Sequence, residues 1–147
     1  MTDTILIEKD LPHPVAKVWR ALTDGPLLAD WLMANDFRAE VGHRFTFRHP
    51  PMPHWNGITD CEVTEVTPMT RLAYRWSSSG DEATNGIRTT VTWTLAPTAT
   101  GTRLRMEQSG FRPDQTQALG GAGTGWRRFL AQLDGLLHRI ENEKDPT

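Results

Sequence analysis

Seven apolar residues close to the C-terminus, Trp126, Phe129, Leu130, Leu133, Leu136, Leu137 and Ile140, fall at i, i+3, i+4, i+7, i+10, i+11 and i+14. That spacing places them on one side of an α-helix, and an apolar stripe of this kind must be covered by another element. The helix expected here begins near Trp126 and follows a connector, residues 111–125, that is dense in Gly and Pro. Most of what precedes it has the period of a strand. Residues 44–48 alternate strictly, with Phe45 and Phe47 on one face. Residues 57–66, with Cys61, Val63 and Val66, read as the next strand, and three more stretches repeat the pattern, with inward sets Leu72, Tyr74 and Trp76; Thr89, Val91, Trp93 and Leu95; and Leu104, Met106 and Gln108. Residues 4–10 read as a first strand. Between it and the others, Val15, Val18, Trp19 and Leu22, then Leu27, Leu28, Trp31 and Leu32, are spaced as two short helices separated by Gly25 and Pro26.

The expected fold class is therefore α+β. A curved antiparallel sheet of about six strands wraps a long C-terminal helix, with two short helices after strand 1, as one domain over residues 1–147. The 147-residue length suits a single domain. A net charge of −2 argues against a nucleic-acid partner, which calls for a basic excess. No apolar run approaches the roughly 20 residues of a membrane span. The first ten residues lack the layout of a signal peptide, so a cytoplasmic location is expected. The single cysteine, Cys61, excludes an intramolecular disulfide and a cysteine-cluster zinc site.

Several segments together resemble one family. They are residues 18–24, Trp31 to Met33, residues 42–47 and 71–76, Gly101 to Leu104, Ser109 to Phe111, and Gly125 with Trp126. In order and spacing they are similar to the bacterial relatives of the heat-shock-protein-90 ATPase activator's C-terminal domain, in the START-like or SRPBCC superfamily. The resemblance runs from about residue 4 to about residue 143. It implies a helix-grip fold around an apolar cavity. It also implies a lipid, sterol, polyketide-like or other aromatic guest, or, in some members, cyclase or aromatase activity. The family often carries His before the Ser-Gly-Phe segment; this chain has Gln108 there, so a role resting on that histidine does not carry over.

Catalytic signatures are sparse. His49 and His54 flank a proline-rich loop without metal-site spacing, Cys61 falls among inward strand positions, and Ser109 lacks the nucleophile-elbow pattern. The glycines at 120, 121, 123 and 125 precede a helix but lack the Lys-Ser/Thr of a phosphate loop, and read as a hinge with Thr124 or a neighbour as helix cap. No metal, cofactor or catalytic residue is expected. The expected site is a space between sheet and helix lined by Phe45, Phe47, Trp76, Trp93, Met106, Trp126 and Phe129. Leu130 and Leu133 continue the helix stripe, Tyr74, Gln108 and Thr89 supply polar groups, and Trp55 acts as a lid. Such a site suits a small hydrophobic or aromatic molecule. The rival readings are an enzyme using Tyr74, Gln108, Asp60 or Glu62, and a chaperone-linked protein that docks through the outward Arg44, Arg48, Arg75, Arg88, Arg103 and Arg105.

Overall fold

The computed structural model describes residues 4–50, 57–78, 87–111 and 116–140. Its elements run β1 (Thr4–Leu11), α1 (Val15–Thr23), α2 (Gly25–Trp31), β2 (Ala34–Asn35), β3 (Arg44–Arg48), β4 (Ile58–Thr67), β5 (Arg71–Ser78), β6 (Ile87–Pro97), β7 (Thr102–Ser109) and α3 (Thr116–Arg139). All strands join one antiparallel sheet in the order β1-β7-β6-β5-β4-β3-β2. The chain from β3 to β7 is a meander, and β1 pairs with β7 at the far edge. The expected α+β helix-grip architecture is thus observed, with a seventh strand that the sequence pattern does not reveal. That strand, β2, is two residues long, too short to display an alternation. Asn35 anchors it: its side-chain amide donates to the Gly25 and Met33 carbonyls (3.1 and 2.9 Å) and its Oδ1 accepts from Phe37 N (3.0 Å).

Local chemistry explains the helix pair. Pro14, with φ fixed at −63°, precedes α1 and buries nothing polar by lacking an N–H. Asp24 ends α1 and caps α2, its Oδ1 accepting from Leu27 N at 3.4 Å. Gly25 and Pro26 open α2 rather than merely separating two helices. The Trp31 indole then ties the pair together by donating to the Ala21 carbonyl at 3.0 Å.

Strand alternation buries one face and leaves the other wet. Val63, Leu72, Tyr74, Val91, Trp93, Leu104 and Met106 lie at 0–1% exposure. On the opposite face, ion pairs join Arg71 to Glu65 (2.9 Å) and Arg103 to Asp10 (2.9 Å), with looser pairs at Arg44–Glu62 (3.9 Å) and Arg105–Glu107 (3.8 Å). A register shift between Val63 and Glu65, opposite Tyr74 and Ala73, marks a bulge that bends the sheet. Trp126, Leu130, Leu133, Leu136 and Leu137 of α3, with Ile140 just after it, fill the resulting concavity.

One expectation is corrected. Residues 116–125 are the first ten residues of α3, not a connector, and Thr124 lies inside the helix instead of capping it. Glycine has a poor helix propensity, about 1 kcal/mol below alanine, so local sequence argues against a helix there. Continuity with the firmly packed second half overrides that preference. No helix among the described residues is long and apolar enough to cross a membrane.

Candidate functional site

Three cross-strand rows bring the expected residues together. One runs Phe45–Cys61–Trp76–Thr89 across β3 to β6, and a second runs Val63–Tyr74–Val91–Gln108 across β4 to β7. The third runs Leu72–Trp93–Met106. Alternation points all three rows at α3, which lowers Trp126, Leu130 and Leu133 onto them.

The rings meet in edge-on and tilted contacts. Phe45 lies 5.3 Å from Phe47 and 5.5 Å from Tyr74, and Phe47 lies 5.3 Å from Trp76. Trp126 lies 5.3 Å from Trp76, 5.5 Å from Trp93 and 5.9 Å from Phe129. These separations suit the quadrupole preference of aromatic pairs. Trp76, at 8% exposure, and the half-buried Phe129 form the side of the layer nearest solvent. Two partners went unrecognised in the sequence. Phe37, in the irregular stretch before β3, packs edge-on to Phe45 at 5.0 Å; Trp31 packs edge-on to Trp93 at 5.9 Å. An isolated Phe37 carries no periodic signal, whereas the helical spacing of Trp31 marked it only as core. Trp19 is half-buried against the core. Trp55 and His54 lie outside the described residues.

A polar relay threads this apolar layer. Trp126 Nε1 donates to Gln108 Oε1 (2.7 Å), Gln108 Nε2 donates to Thr89 Oγ1 (2.9 Å), and the Thr89 hydroxyl donates to the Trp76 carbonyl (3.0 Å). Separately, Trp93 Nε1 donates to the Tyr74 hydroxyl at 2.9 Å. Every indole N–H of Trp31, Trp93 and Trp126 therefore has a protein acceptor. Two donor hydrogens are left over among the described residues: the second amide hydrogen of Gln108 and the hydroxyl hydrogen of Tyr74. Both side chains are 1% exposed.

Among the described residues, the layer holds no group that ionises readily. Burial, with Asp60 and Asp36 nearby, pushes the Cys61 thiol far above its usual range. Burial likewise raises the Tyr74 phenol, only partly opposed by the Trp93 hydrogen bond. Both stay protonated at neutral pH, so Cys61 offers no thiolate and Tyr74 no phenolate base. Gln108→Leu is expected to lower stability by about 1–3 kcal/mol, because it strands the buried Trp126 N–H without an acceptor. Urea denaturation checks the loss, and the Trp126 indole proton should move upfield as its hydrogen bond disappears.

Comparison with known proteins gives one consistent picture. The family model described as Activator of Hsp90 ATPase homolog 1-like protein matches residues 12–138. The chain is similar to the crystal structure of MLL2253 from Mesorhizobium loti, with 47% identity, 97% and 99% of the two chains covered, and a TM-score of 0.87. It is also similar to CV1439 from Chromobacterium violaceum at 27% identity, with 93% and 98% covered and a TM-score of 0.71. DynU16, a protein of the dynemicin biosynthetic locus, matches at 27% identity with a TM-score of 0.78. That alignment covers 94% of this chain but 48% of DynU16, so this chain spans about half of it. The search of curated proteins returned no match.

Proposed function

The chain belongs to the Activator of Hsp90 ATPase homolog 1-like family, and on that premise we propose that it binds a small hydrophobic or aromatic molecule in the layer between sheet and α3. The observation that carries this reading is the pair of leftover donors, Gln108 Nε2–H and Tyr74 O–H, inside a layer otherwise built of rings and aliphatic side chains. A buried donor without an acceptor is costly. A planar guest with a carbonyl or phenolic oxygen would satisfy such a donor while its rings stack on Trp76, Trp126 and Phe47. The α3 side of the layer supports the same reading. Gly123 is buried, yet among the described residues a Cβ there would meet only Arg127 Nη1, at 3.7 Å.

Binding is favoured over catalysis because the polar side chains described in the layer, Thr89, Gln108 and Tyr74, are all neutral, whereas acid–base chemistry needs a group that titrates near the working pH. The likeness to DynU16, from a biosynthetic locus, supports aromatic polyketide-like guests as the first chemistry to try.

The test is an NMR titration of the full chain with fatty acids, sterols and polycyclic phenols or quinones, following the six indole N–H signals. Saturable shifts at Trp76, Trp93 and Trp126 with a quiet Trp19 are expected for the phenols or quinones. Trp76→Ala with Trp126→Ala should abolish them. An absence of saturable shifts across the panel, or undiminished binding by the double variant, would overturn the assignment.

A further inference from the structure

We propose that His13, Asp134 and His138 form a binding site for a divalent transition-metal ion of the zinc type, at the C-terminal end of α3. One ligand atom from each residue lies within 4.8 Å of the other two. Asp134 and His138 stand at i and i+4, on one face of α3, with His138 Nδ1 3.8 Å from Asp134 Oδ1. His13 comes from the turn between β1 and α1, and its ring meets that of His138 edge-on, with centroids 5.0 Å apart and planes at 87°.

The three ligands differ in a way that suits a site. His13 is 3% exposed, and its backbone is held at both ends, the N–H donating to the Leu11 carbonyl (2.8 Å) and the carbonyl accepting from Thr102 Oγ1 (2.7 Å). It is a ligand fixed by the fold. The side chains of Asp134 and His138, 38% and 61% exposed, can rotate onto it. Asp134 Oδ1 is shielded from solvent yet has no hydrogen-bond partner among the described residues. A cation would supply what that carboxylate oxygen lacks. Metal–ligand bonds of about 2.0–2.2 Å require ligand atoms about 3–3.5 Å apart, so the two helix side chains need to close in by about an ångström. Two imidazoles and one carboxylate, with positions left for water, match zinc, nickel or copper; calcium and magnesium prefer all-oxygen sets.

Lys17 is the competitor. Its Nζ lies 3.2 Å from His13 Nδ1, and coordination through Nε2 would place the ring proton on Nδ1, turning the ammonium away. Binding therefore moves the ring proton from Nε2 to Nδ1 and leaves the imidazole neutral. A bound ion would clip the last turns of α3 to the β1–α1 turn, independently of any guest in the aromatic layer.

The test is a calorimetric titration of the full chain with Zn2+ alone, in parallel with NMR of the histidine ring nitrogens. One ion per chain is expected, with His13 and His138 shifting together while His43 and His49 stay still. D134N and H138A, at half-exposed and exposed positions, should keep the fold by circular dichroism and weaken binding at least tenfold. The absence of saturable one-to-one binding would overturn the site. So would an isotherm unchanged in both variants, or unmoved His13 ring signals at saturation.

Discussion

Trp93→Ala is expected to lower unfolding stability by about 3–5 kcal/mol, the range for removing a fully buried indole. Trp93 is 0% exposed and stands midway across the sheet, paired with Leu72 on β5 and Met106 on β7. Its ring is wedged edge-on between Trp31 of α2, at 5.9 Å, and Trp126 of α3, at 5.5 Å. Truncation thus opens a void where sheet and two helices converge, and removes the donor that the Tyr74 hydroxyl accepts. Because native domains are stable by about 5–15 kcal/mol, the variant should lose a large share of its stability. A guanidinium midpoint close to that of the parent would show that Trp93 is not the junction described. Trp93→Phe, which keeps a ring between the neighbours, should cost clearly less.

The second large effect is expected at Gly101, in the turn between β6 and β7. A Cβ there would lie 2.1 Å from the Leu11 carbonyl oxygen, 2.6 Å from His13 N and 3.0 Å from Pro12 Cα. All three are backbone atoms, so no side-chain rotation relieves the clash. Gly101→Ala must push the end of β1 off β7, straining the Leu11–Thr102 pairing and the Thr102 hydrogen bond to His13. A loss of about 3 kcal/mol or more is expected, at the upper end for overpacking. Two other glycines calibrate the result. At Gly42, φ is +91° but nothing lies within 4 Å of a Cβ, so alanine should cost only the backbone term of about 1–2 kcal/mol. At Gly120, helical and with open space, alanine should instead stabilise by up to about 1 kcal/mol. Thermal melts of the three variants should fall in that order, and a Gly101→Ala melt as high as that of Gly42→Ala would refute the steric account.

Much of this was readable from the chain because period-two burial leaves a strong imprint. Phe45, Phe47, Tyr74, Trp76, Trp93, Met106 and Gln108 share the inner face because each lies on an alternating strand, and the Leu130 and Leu133 stripe follows from the helical spacing. The glycine half of α3 was not readable, since its propensity opposes the conformation that packing imposes. Nor was the Trp126–Gln108–Thr89 relay, which depends on how α3 is rotated over the sheet. Gln108 was singled out as polar and inward, but its partners belong to tertiary structure. The Asp134 and His138 spacing was visible in the sequence; the turn that delivers His13 to them was not.

The unequal composition of α3 has an energetic consequence. Four glycines in its first ten residues cost about 3–4 kcal/mol of intrinsic helix stability relative to alanines, while the buried Leu133, Leu136 and Leu137 secure the remainder. Unravelling should therefore start at Thr116 and stall near Trp126, a sub-global opening far cheaper than unfolding the sheet. The amide hydrogens of the first half then exchange with solvent through partial opening, those of the second half only when the whole domain comes apart. The stability of this half of the helix is in this sense a fraying equilibrium written into four glycines.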